Sequence, residues 1–426
     1  MTGAEHLTAS EAVRRLEAGT LTAETLARDC LDRIKQRSAV KAWVWLDPEL
    51  TLAQARAIDR AGRPGLLKGV PVGVKDVIDT YDMPTQHGSP IYQGNRPYAD
   101  AACVALTRAA GGVSLGKTVT TEFANRFPGA TVHPHNPGHT PGGSSSGSAA
   151  GVADGMMPLA FGTQTAGSVL RPASFCGIVG MKPSFGLIAT AGTKPLSPSL
   201  DTIGGFARSV ADAALFIAAL TDRPELLPEA PAPAPRIGIY QPAPWDKVEP
   251  ATLAALEAAR DKLGRAGATL AERGPFPAFD GLAAAQSTIM SYEAARNLAW
   301  ERLNRGTEIM PRTAALLAEG VAVSTAAYDA ARRTAAAARA QCAEFFAAFD
   351  AVLVPAAPGE APVIATTGDP VFNRPWTLLH LPAITLPCHR GPSGLPVGIQ
   401  LVGRPGEDAR LFAIALFAEA ALGIEA

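Results

Sequence analysis

Residues 140–173 constrain this chain more than any other stretch, because they concentrate glycine and serine in two short loops. The loops cover residues 142–148 and 162–168, and a small, apolar segment separates them. Glycine is enriched where a backbone turns tightly or comes close to another group. A flexible linker would be polar throughout, which Met156 and Met157 exclude, and the Gly-Lys-Ser/Thr of a phosphate-binding loop is missing. The pattern favours serine hydroxyls presented at the ends of buried elements and indicates acyl transfer.

Further motifs on both sides of these loops resemble the amidase signature hydrolases. The core of that family reads Gly-Gly-Ser-Ser-Gly-Gly-Ser, followed by Thr-Gly-Gly-Ser-Ile-Arg-x-Pro-Ala. Matching blocks occur in the family's order at residues 69–76, 115–124, 175–183, 199–204 and 381–387. The likeness therefore covers most of residues 65–215 and a C-terminal patch.

Within that family the chain looks most similar to malonamidase-type enzymes. The details that carry this likeness are Gly-Thr-Gln-Thr at 162–165, three serines within 143–147, and the segments 367–370 and 373–376. The resemblance implies an α/β fold, with a central mixed β-sheet covered by helices on both faces. It also implies an amide hydrolase that releases ammonia or an amine from a small, carboxylated amide such as malonamate.

A catalytic serine needs a base, because its hydroxyl is a poor nucleophile at neutral pH. No histidine of this chain lies in a convincing position for that task, but Lys75 lies in the apolar run 70–78, which is typical of a buried strand. Burial disfavours the ammonium form and lowers the pKa of a lysine, so Lys75 can serve as a base. The alternative is a structural lysine paired with Asp76 or Asp79.

The resemblance assigns roles to three residues at matching spacings. It implies that Ser168 is the nucleophile, that Ser144 follows a cis peptide bond and bridges to the base, and that Lys75 is that base. The expected mechanism passes through an acyl-enzyme that water then hydrolyses. No cofactor is expected.

An oxyanion hole is expected at the backbone N–H groups of Thr165, Ala166 and Gly167, next to the nucleophile. The family usually has glycine where this chain has Ala166. If that position requires a positive φ, the alanine is unfavourable by about 1 kcal/mol. The resemblance to malonamidase-type enzymes implies that Arg171, three residues after Ser168, binds a substrate carboxylate through its planar fork, and the alternative is an arginine that braces the loop.

Two alternative enzyme sites are open from the residues alone. Residues 143–147 match the nucleophile elbow of α/β-hydrolase esterases, with Ser145 as nucleophile and Asp369 and then His380 or His389 following in the required order. However, an elbow follows a hydrophobic strand directly, and a Pro-Gly-Gly turn precedes this one.

A metal site is the second alternative. His133, His135 and His139 cluster in the chain, but they lack regular spacing and an acidic partner, so no metal is expected. A different functional class also remains open, since some members of the family are amidotransferase-type subunits of larger assemblies.

The composition predicts a cytoplasmic protein, and the resemblance implies that its partner is a small-molecule amide substrate. Net charge is −1 and there is no basic block, so neither nucleic acid nor a membrane is an expected partner. Five cysteines lie far apart, which indicates neither zinc nor a disulfide framework. No N-terminal signal or membrane-spanning run is recognised. The oligomeric state is open, with a homodimer as the default.

The chain is predicted to form a single domain over residues 1–426. Its core is assigned to about 65–215 and 351–426, and residues 236–350 are assigned to a helical embellishment that walls the substrate pocket. Strands are predicted at 41–46, 69–79, 113–115, 236–240 and 351–354, and helices within 8–37 and at 99–110, 250–263, 282–302 and 325–349.

Overall fold

One mixed sheet of eleven strands runs through the computed structural model, which describes residues 6–424. The strands are β1 (Trp43–Trp45), β2 (Pro71–Lys75), β3 (Val113–Thr118), β4 (Leu159–Gln164), β5 (Val179–Lys182), β6 (Thr202–Ala207), β7 (Arg236–Tyr240), β8 (Thr269–Arg273), β9 (Ala351–Pro355), β10 (Ala383–Arg390) and β11 (Pro396–Gly403). Their order across the sheet is β1-β3-β2-β4-β6-β5-β10-β11-β9-β7-β8. β2 pairs in parallel with β3 and β4, whereas β4 pairs antiparallel with β6.

Helices cover both faces of the sheet. They are α1 (Ala9–Glu17), α2 (Ala23–Gln36), α3 (Pro48–Arg60), α4 (Ala102–Ala109), α5 (Ser146–Ala153), α6 (Leu170–Cys176), α7 (Val210–Thr221), α8 (Pro250–Arg265), α9 (Leu282–Asn297), α10 (Ala299–Asn304), α11 (Pro311–Ala322), α12 (Thr325–Ala340), α13 (Cys342–Phe345), α14 (Arg374–Leu378) and α15 (Asp408–Leu422). Among residues 6–424, no helix is long and apolar enough to span a membrane.

Strand β9 shows why both faces are covered. Successive side chains of a strand point to opposite faces. Ala351 and Leu353 pack into a core shared with α7, α8 and α15, whereas Val352 and Val354 pack into a second core shared with α9, α11 and α12. All five residues of β9 are buried, so the sheet has no solvent-exposed face at this strand.

The division proposed for residues 236–350 differs from the structure. β7 and β8 both lie in this range and pair in parallel at the end of the sheet, with α8 as their connection. Two parallel strands joined by a helix form a crossover unit, which belongs to a sheet and not to a helical layer. The purely helical part is therefore restricted to α9–α13, which cover the face that carries the second core.

Candidate active site

Lys75 ends strand β2 and is completely buried, at 0% exposed. Its Nζ lies 2.8 Å from Ser144 Oγ and 2.6 Å from Thr163 Oγ1. Within the described part of the chain it forms no ion pair, because Asp76 faces a different lysine, with 3.4 Å between Asp76 Oδ1 and Lys117 Nζ. The structural alternative, in which Asp76 or Asp79 neutralises Lys75, does not occur.

Burial is the main influence on the charge of Lys75. It lowers the pKa of the amine well below its ordinary value, and only the more distant carboxylate of Asp201 opposes the shift. A neutral amine can accept the hydroxyl proton of Ser144 while it donates its own hydrogens to Thr163. The environment therefore keeps Lys75 ready to act as a proton acceptor.

Ser144 follows a cis peptide bond from Gly143, as the family resemblance implies. Its carbonyl accepts a hydrogen bond from Thr121 N at 3.2 Å, and the carbonyl of Gly143 accepts one from Arg171 Nη2 at 2.6 Å. Gly147, at the start of α5, allows a close approach, since a Cβ there would lie 2.1 Å from the carbonyl oxygen of Ala42. These contacts fix the first serine loop against the strands beside it.

In the second serine loop, side chains donate hydrogen bonds to the carbonyl groups, whereas several amide groups are left free within the described part of the chain. Gln286 Nε2 donates to the carbonyl of Thr165 at 2.8 Å, and Thr377 Oγ1 donates to that of Ala166 at 2.9 Å. The N–H groups of residues 165–168 have no acceptor among the residues that the structure describes. Four free amides in a buried turn form a nest suited to an oxyanion.

Ser168 lies at the end of this nest and is 9% exposed, the most accessible of the three expected catalytic side chains. Its Oγ makes no hydrogen bond within residues 6–424. The structure thus joins Lys75 to Ser144 directly and leaves the Ser168 hydroxyl free beside the nest.

Ala166 does not have a positive φ, in contrast to Phe123 and Ala124, which do. The concern that alanine would strain this loop therefore does not apply. Gly167 is the position where space is limiting, because a Cβ there would lie 2.4 Å from Asn373 Oδ1 and 2.8 Å from Pro370 Cβ. The nest tolerates a methyl group at 166 and excludes one at 167.

Gln286 and Thr377 are site residues that the sequence reasoning missed. They lie on α9 and α14 and reach the loop from positions far along the chain. Gln164 completes the arrangement, since its Nε2 donates to Thr377 Oγ1 at 2.9 Å and its Oε1 accepts from Val169 N and Leu170 N. No local motif marks Gln286 or Thr377, so only the folded chain identifies these two residues.

We expect Thr377→Val to lower kcat about tenfold with a smaller effect on KM, because the carbonyl of Ala166 loses its donor and the nest loosens. Leaving this carbonyl and the Gln164 amide unpaired also destabilises the fold by roughly 1–3 kcal/mol. Thr377→Ser keeps the hydroxyl and is the matched control. Steady-state kinetics and thermal melts measure both effects, and equal kinetics for the two variants would contradict this role.

Arg171 is buried, at 3% exposed, and is held by backbone carbonyls. Its Nε donates to Thr367 O at 2.8 Å, its Nη2 donates to Gly143 O, and its Nη1 is buried without a partner. Burial lowers the pKa of its guanidinium to about 9, with Asp369 opposing the shift. Arg171 therefore joins the first serine loop to the segment around Thr367 and retains one free group.

Two cavities border the loop that carries Ser168. The first, of about 520 Å³, adjoins Pro370, which packs against Gly167, and it contains the side chains of Arg126, Arg312 and Arg374. The second, of about 430 Å³, is lined by Thr163, Thr165, Thr193, Lys194, Asp201 and Ile203. We call them the arginine cavity and the threonine cavity.

The residues proposed for an esterase elbow and for a metal site lie in surroundings that fit neither function. Ser145 is fully buried, and its Oγ lies 3.3 Å from Thr163 N, with no histidine among its partners in the described chain. His380 instead lies 2.9 Å from Ser199 O through Nε2. The elbow alternative is therefore wrong. His133 Nε2 and His139 Nδ1 lie within hydrogen-bonding distance of backbone carbonyls, and residues 6–424 hold no metal-binding cluster.

Comparison with known proteins agrees with the fold and with these motifs. The family model described as Amidase matches residues 25–412. A glutamyl-tRNA(Gln) amidotransferase subunit from Chloroflexus aggregans is 35% identical, over 97% of this chain and 96% of its own length. A protein solved with inhibitor bound, from a vestigial complex linked to the origins of an s-triazine catabolic enzyme, has a TM-score of 0.90 at 27% identity, with 98% of this chain and 99% of that chain covered.

A third similar protein is the peptide amidase of Stenotrophomonas maltophilia. It has a TM-score of 0.82 at 29% identity, with 99% of this chain and 98% of that chain covered. The match of the family model extends from α2 to α15, and the single α/β domain with its large mixed sheet is common to these structures. The chain therefore belongs to the amidase signature family of amide-cleaving enzymes.

Proposed function

We propose that this enzyme hydrolyses small amides through an acyl-enzyme on Ser168, with Ser144 as proton relay and Lys75 as base. One observation carries the proposal: a lysine without an ion pair is buried 2.8 Å from the hydroxyl of Ser144, beside a loop with four free amides. A buried, unpaired lysine is otherwise unfavourable. Its cost is explained if the neutral amine is needed in the reaction.

We propose the following first half of the reaction. Neutral Lys75 accepts the proton of Ser144, which in turn accepts that of Ser168 as its Oγ attacks the amide carbonyl. Negative charge develops on the carbonyl oxygen, and the N–H groups of residues 165–168 stabilise it. The relay then returns a proton to the leaving nitrogen, the C–N bond breaks, and the acyl group remains on Ser168. Water releases it by the same steps.

The substrate class follows from the charges around the arginine cavity. Positive charges outnumber negative ones in its lining, which contains Arg126, Lys247, Arg312 and Arg374 against Glu249, Glu360 and Asp369. Arg171 and Arg374 both interact with Asp369, and burial together with the neighbouring Arg126 lowers the pKa of Arg374 to about 10. Arg374 Nε is also buried without a partner. Arginine forks bind carboxylates in a bidentate manner, so an acyl group that carries a carboxylate, as malonamate does, would relieve this excess of positive charge.

We expect Arg374→Gln to lower kcat/KM for malonamate about 10- to 100-fold, the loss of one charge-assisted interaction. An uncharged amide of matching length should be affected much less, because it makes no such interaction. Ammonia release from the two substrates measures this difference. Arg260→Gln is the control, since Arg260 is an exposed arginine that pairs with Glu272.

The same pair of substrates separates two roles for Arg171. If its free Nη1 binds the carboxylate, Arg171→Gln removes the preference for malonamate and retains activity on the uncharged amide. If Arg171 acts only through its bonds to Gly143 O and Thr367 O, activity falls equally on both substrates. If the Arg171 variant and the Arg374 variant both keep the preference for malonamate over the uncharged amide, that result contradicts a carboxylated substrate.

A second candidate function is that of an amidotransferase subunit, which the identity to the Chloroflexus aggregans protein favours. An amidotransferase transfers the amide nitrogen to an acceptor, whereas a hydrolase releases it as ammonia or an amine. Ammonia production by the isolated chain, measured with malonamate and with glutamine, distinguishes them. Turnover of malonamate alone supports the hydrolase, and turnover that needs added protein supports the subunit.

A further inference from the structure

The threonine cavity meets the catalytic relay at its lysine end. Thr163 lines this cavity, and its Oγ1 lies 2.6 Å from Lys75 Nζ. Thr165, on the same wall, begins the nest of free amides. The far side of the cavity is formed by residues 190–192, which are exposed, so the cavity opens to solvent and approaches Lys75 through Thr163.

The polar groups of this cavity are neutral or already paired. Lys194 forms an ion pair with Glu301, and its Nζ lies 3.1 Å from Tyr92 Oη. Asp201 accepts from Thr165 Oγ1 at 2.5 Å and from the backbone N–H groups of Leu196 and Ser197. Thr193 Oγ1, by contrast, is buried and has no hydrogen-bond partner among the described residues. A ligand here would therefore be uncharged apart from the reacting group and would carry a hydroxyl or a similar hydrogen-bonding group.

The direction of proton transfer identifies the part of the substrate that belongs here. The leaving nitrogen receives its proton from the relay, so it must face Ser144 and Lys75. The threonine cavity lies on the lysine side, because its wall includes Thr163, whose Oγ1 contacts Lys75 Nζ. The arginine cavity instead adjoins Gly167 through Pro370 and Gly143 through Thr367. By microscopic reversibility, an amine that attacks the acyl-enzyme enters through the site from which the leaving amine departs.

We propose that the threonine cavity is an amine site, and that the enzyme transfers its acyl group to small hydroxylated primary amines as well as to water. The inference rests on the acyl-enzyme of the proposed function. The threonine cavity has a volume of about 430 Å³. This exceeds what ammonia or water requires, since one water takes up about 30 Å³ of liquid. The same site accepts N-substituted amides as substrates.

The transfer step balances without a further reactant. The amine nitrogen attacks the acyl carbon, and its proton passes to Ser144 as the proton of Ser144 passes to Lys75. The tetrahedral adduct then breaks its bond to Ser168 Oγ, which takes a proton back from the relay. The products are an N-substituted amide and the free serine.

The test measures how the acyl-enzyme divides between water and two amines. Hydroxylamine is a small acceptor without a side chain, and 3-aminopropane-1,2-diol is a primary amine with a hydroxylated tail. With malonamate as donor, mass spectrometry quantifies the acid, the hydroxamate and the substituted amide. We expect transfer to the aminodiol to saturate with its concentration, because the amine binds before it reacts.

Ala191→Trp fills the exposed edge of the cavity, and Ala326→Trp places the same side chain on the exposed face of α12 as a control. We expect the ratio of aminodiol transfer to hydroxylamine transfer to fall at least tenfold in Ala191→Trp and to stay at the wild-type value in the control. This ratio is taken within one variant and does not depend on its overall rate.

Two results overturn the inference and have different meanings. In the first, hydroxamate forms, but transfer to the aminodiol rises linearly with aminodiol concentration. The ratio of aminodiol transfer to hydroxylamine transfer is also the same in wild type, Ala191→Trp and Ala326→Trp. The amine then reacts from solution and the cavity is not its site. If no hydroxamate forms while malonamate is hydrolysed, the acyl-enzyme itself is wrong, and the proposed mechanism fails with the inference.

Discussion

Replacing Ser168 by alanine is expected to reduce amide turnover by about 10⁴-fold or more, because it removes the hydroxyl that forms the proposed acyl-enzyme. The fold should be retained, since the hydroxyl makes no hydrogen bond within residues 6–424 and its removal leaves no described partner unsatisfied. Ammonia release measures the rate, and circular dichroism with a thermal melt measures the fold.

The matched control is the same substitution at Ser145. This serine is fully buried and its Oγ is within hydrogen-bonding distance of the backbone of Thr163, so Ser145→Ala should have a far smaller effect on the rate. It should instead lower stability modestly, by about 1 kcal/mol for one lost hydrogen bond. A larger loss of rate for Ser145→Ala than for Ser168→Ala would exchange the two assignments.

Replacing Lys75 by methionine is the second large effect. We expect kcat to fall by about 10²- to 10⁴-fold, the range for removal of a general base, although the apolar side chain suits the buried site. The wild-type pH profile should show why. In the proposed mechanism the neutral amine is the active form, and burial lowers its pKa, so we expect kcat/KM to rise with pH through that pKa and to level off below the pH at which an exposed lysine titrates.

Lys75→Met should lose this rise between pH 5 and 10. Lys117→Met is an informative comparison, because Lys117 is equally buried but pairs with Asp76 and donates to the carbonyl of Ile78. Burial lowers its pKa to about 8. We expect its removal to reduce stability and to leave the shape of the pH profile intact. A wild-type rate that declines steadily from pH 6 to 9 in folded enzyme would contradict a lysine base.

Much of the fold was predictable because its elements are local. The apolar run that ends at Lys75 forms β2, and the runs at 236–240 and 351–354 form strands at nearly the predicted bounds. The pairing of β7 with β8 was not predictable, since β8 is mostly exposed and lacks the apolar pattern of a buried strand. Strand order depends on contacts between distant segments, which a single sequence does not contain.

The candidate site divides in the same way. Residues within the two serine loops and the lysine strand belong to continuous motifs, so Lys75, Ser144 and Ser168 could be proposed from the sequence. Gln286 and Thr377 could not, because each contacts the loop through one side chain on an otherwise ordinary helix. Arg126 and Arg312 of the arginine cavity were missed for the same reason, since a loop and α11 supply them separately. Arg374 lies in the segment 373–376, which carries the likeness to malonamidase-type enzymes.

The most direct test of the mechanism is to locate the covalent intermediate. Monophenyl malonate gives the same acyl group as malonamate but has phenolate as a much better leaving group, so the acyl-enzyme forms faster than it breaks down. Acid quenching within milliseconds preserves the ester on serine for intact-mass and peptide analysis. We predict one acyl group per chain, on the peptide that contains Ser168, and none in Ser168→Ala. An adduct on Ser144 or Ser145, or rapid turnover without any adduct, would contradict the proposed mechanism.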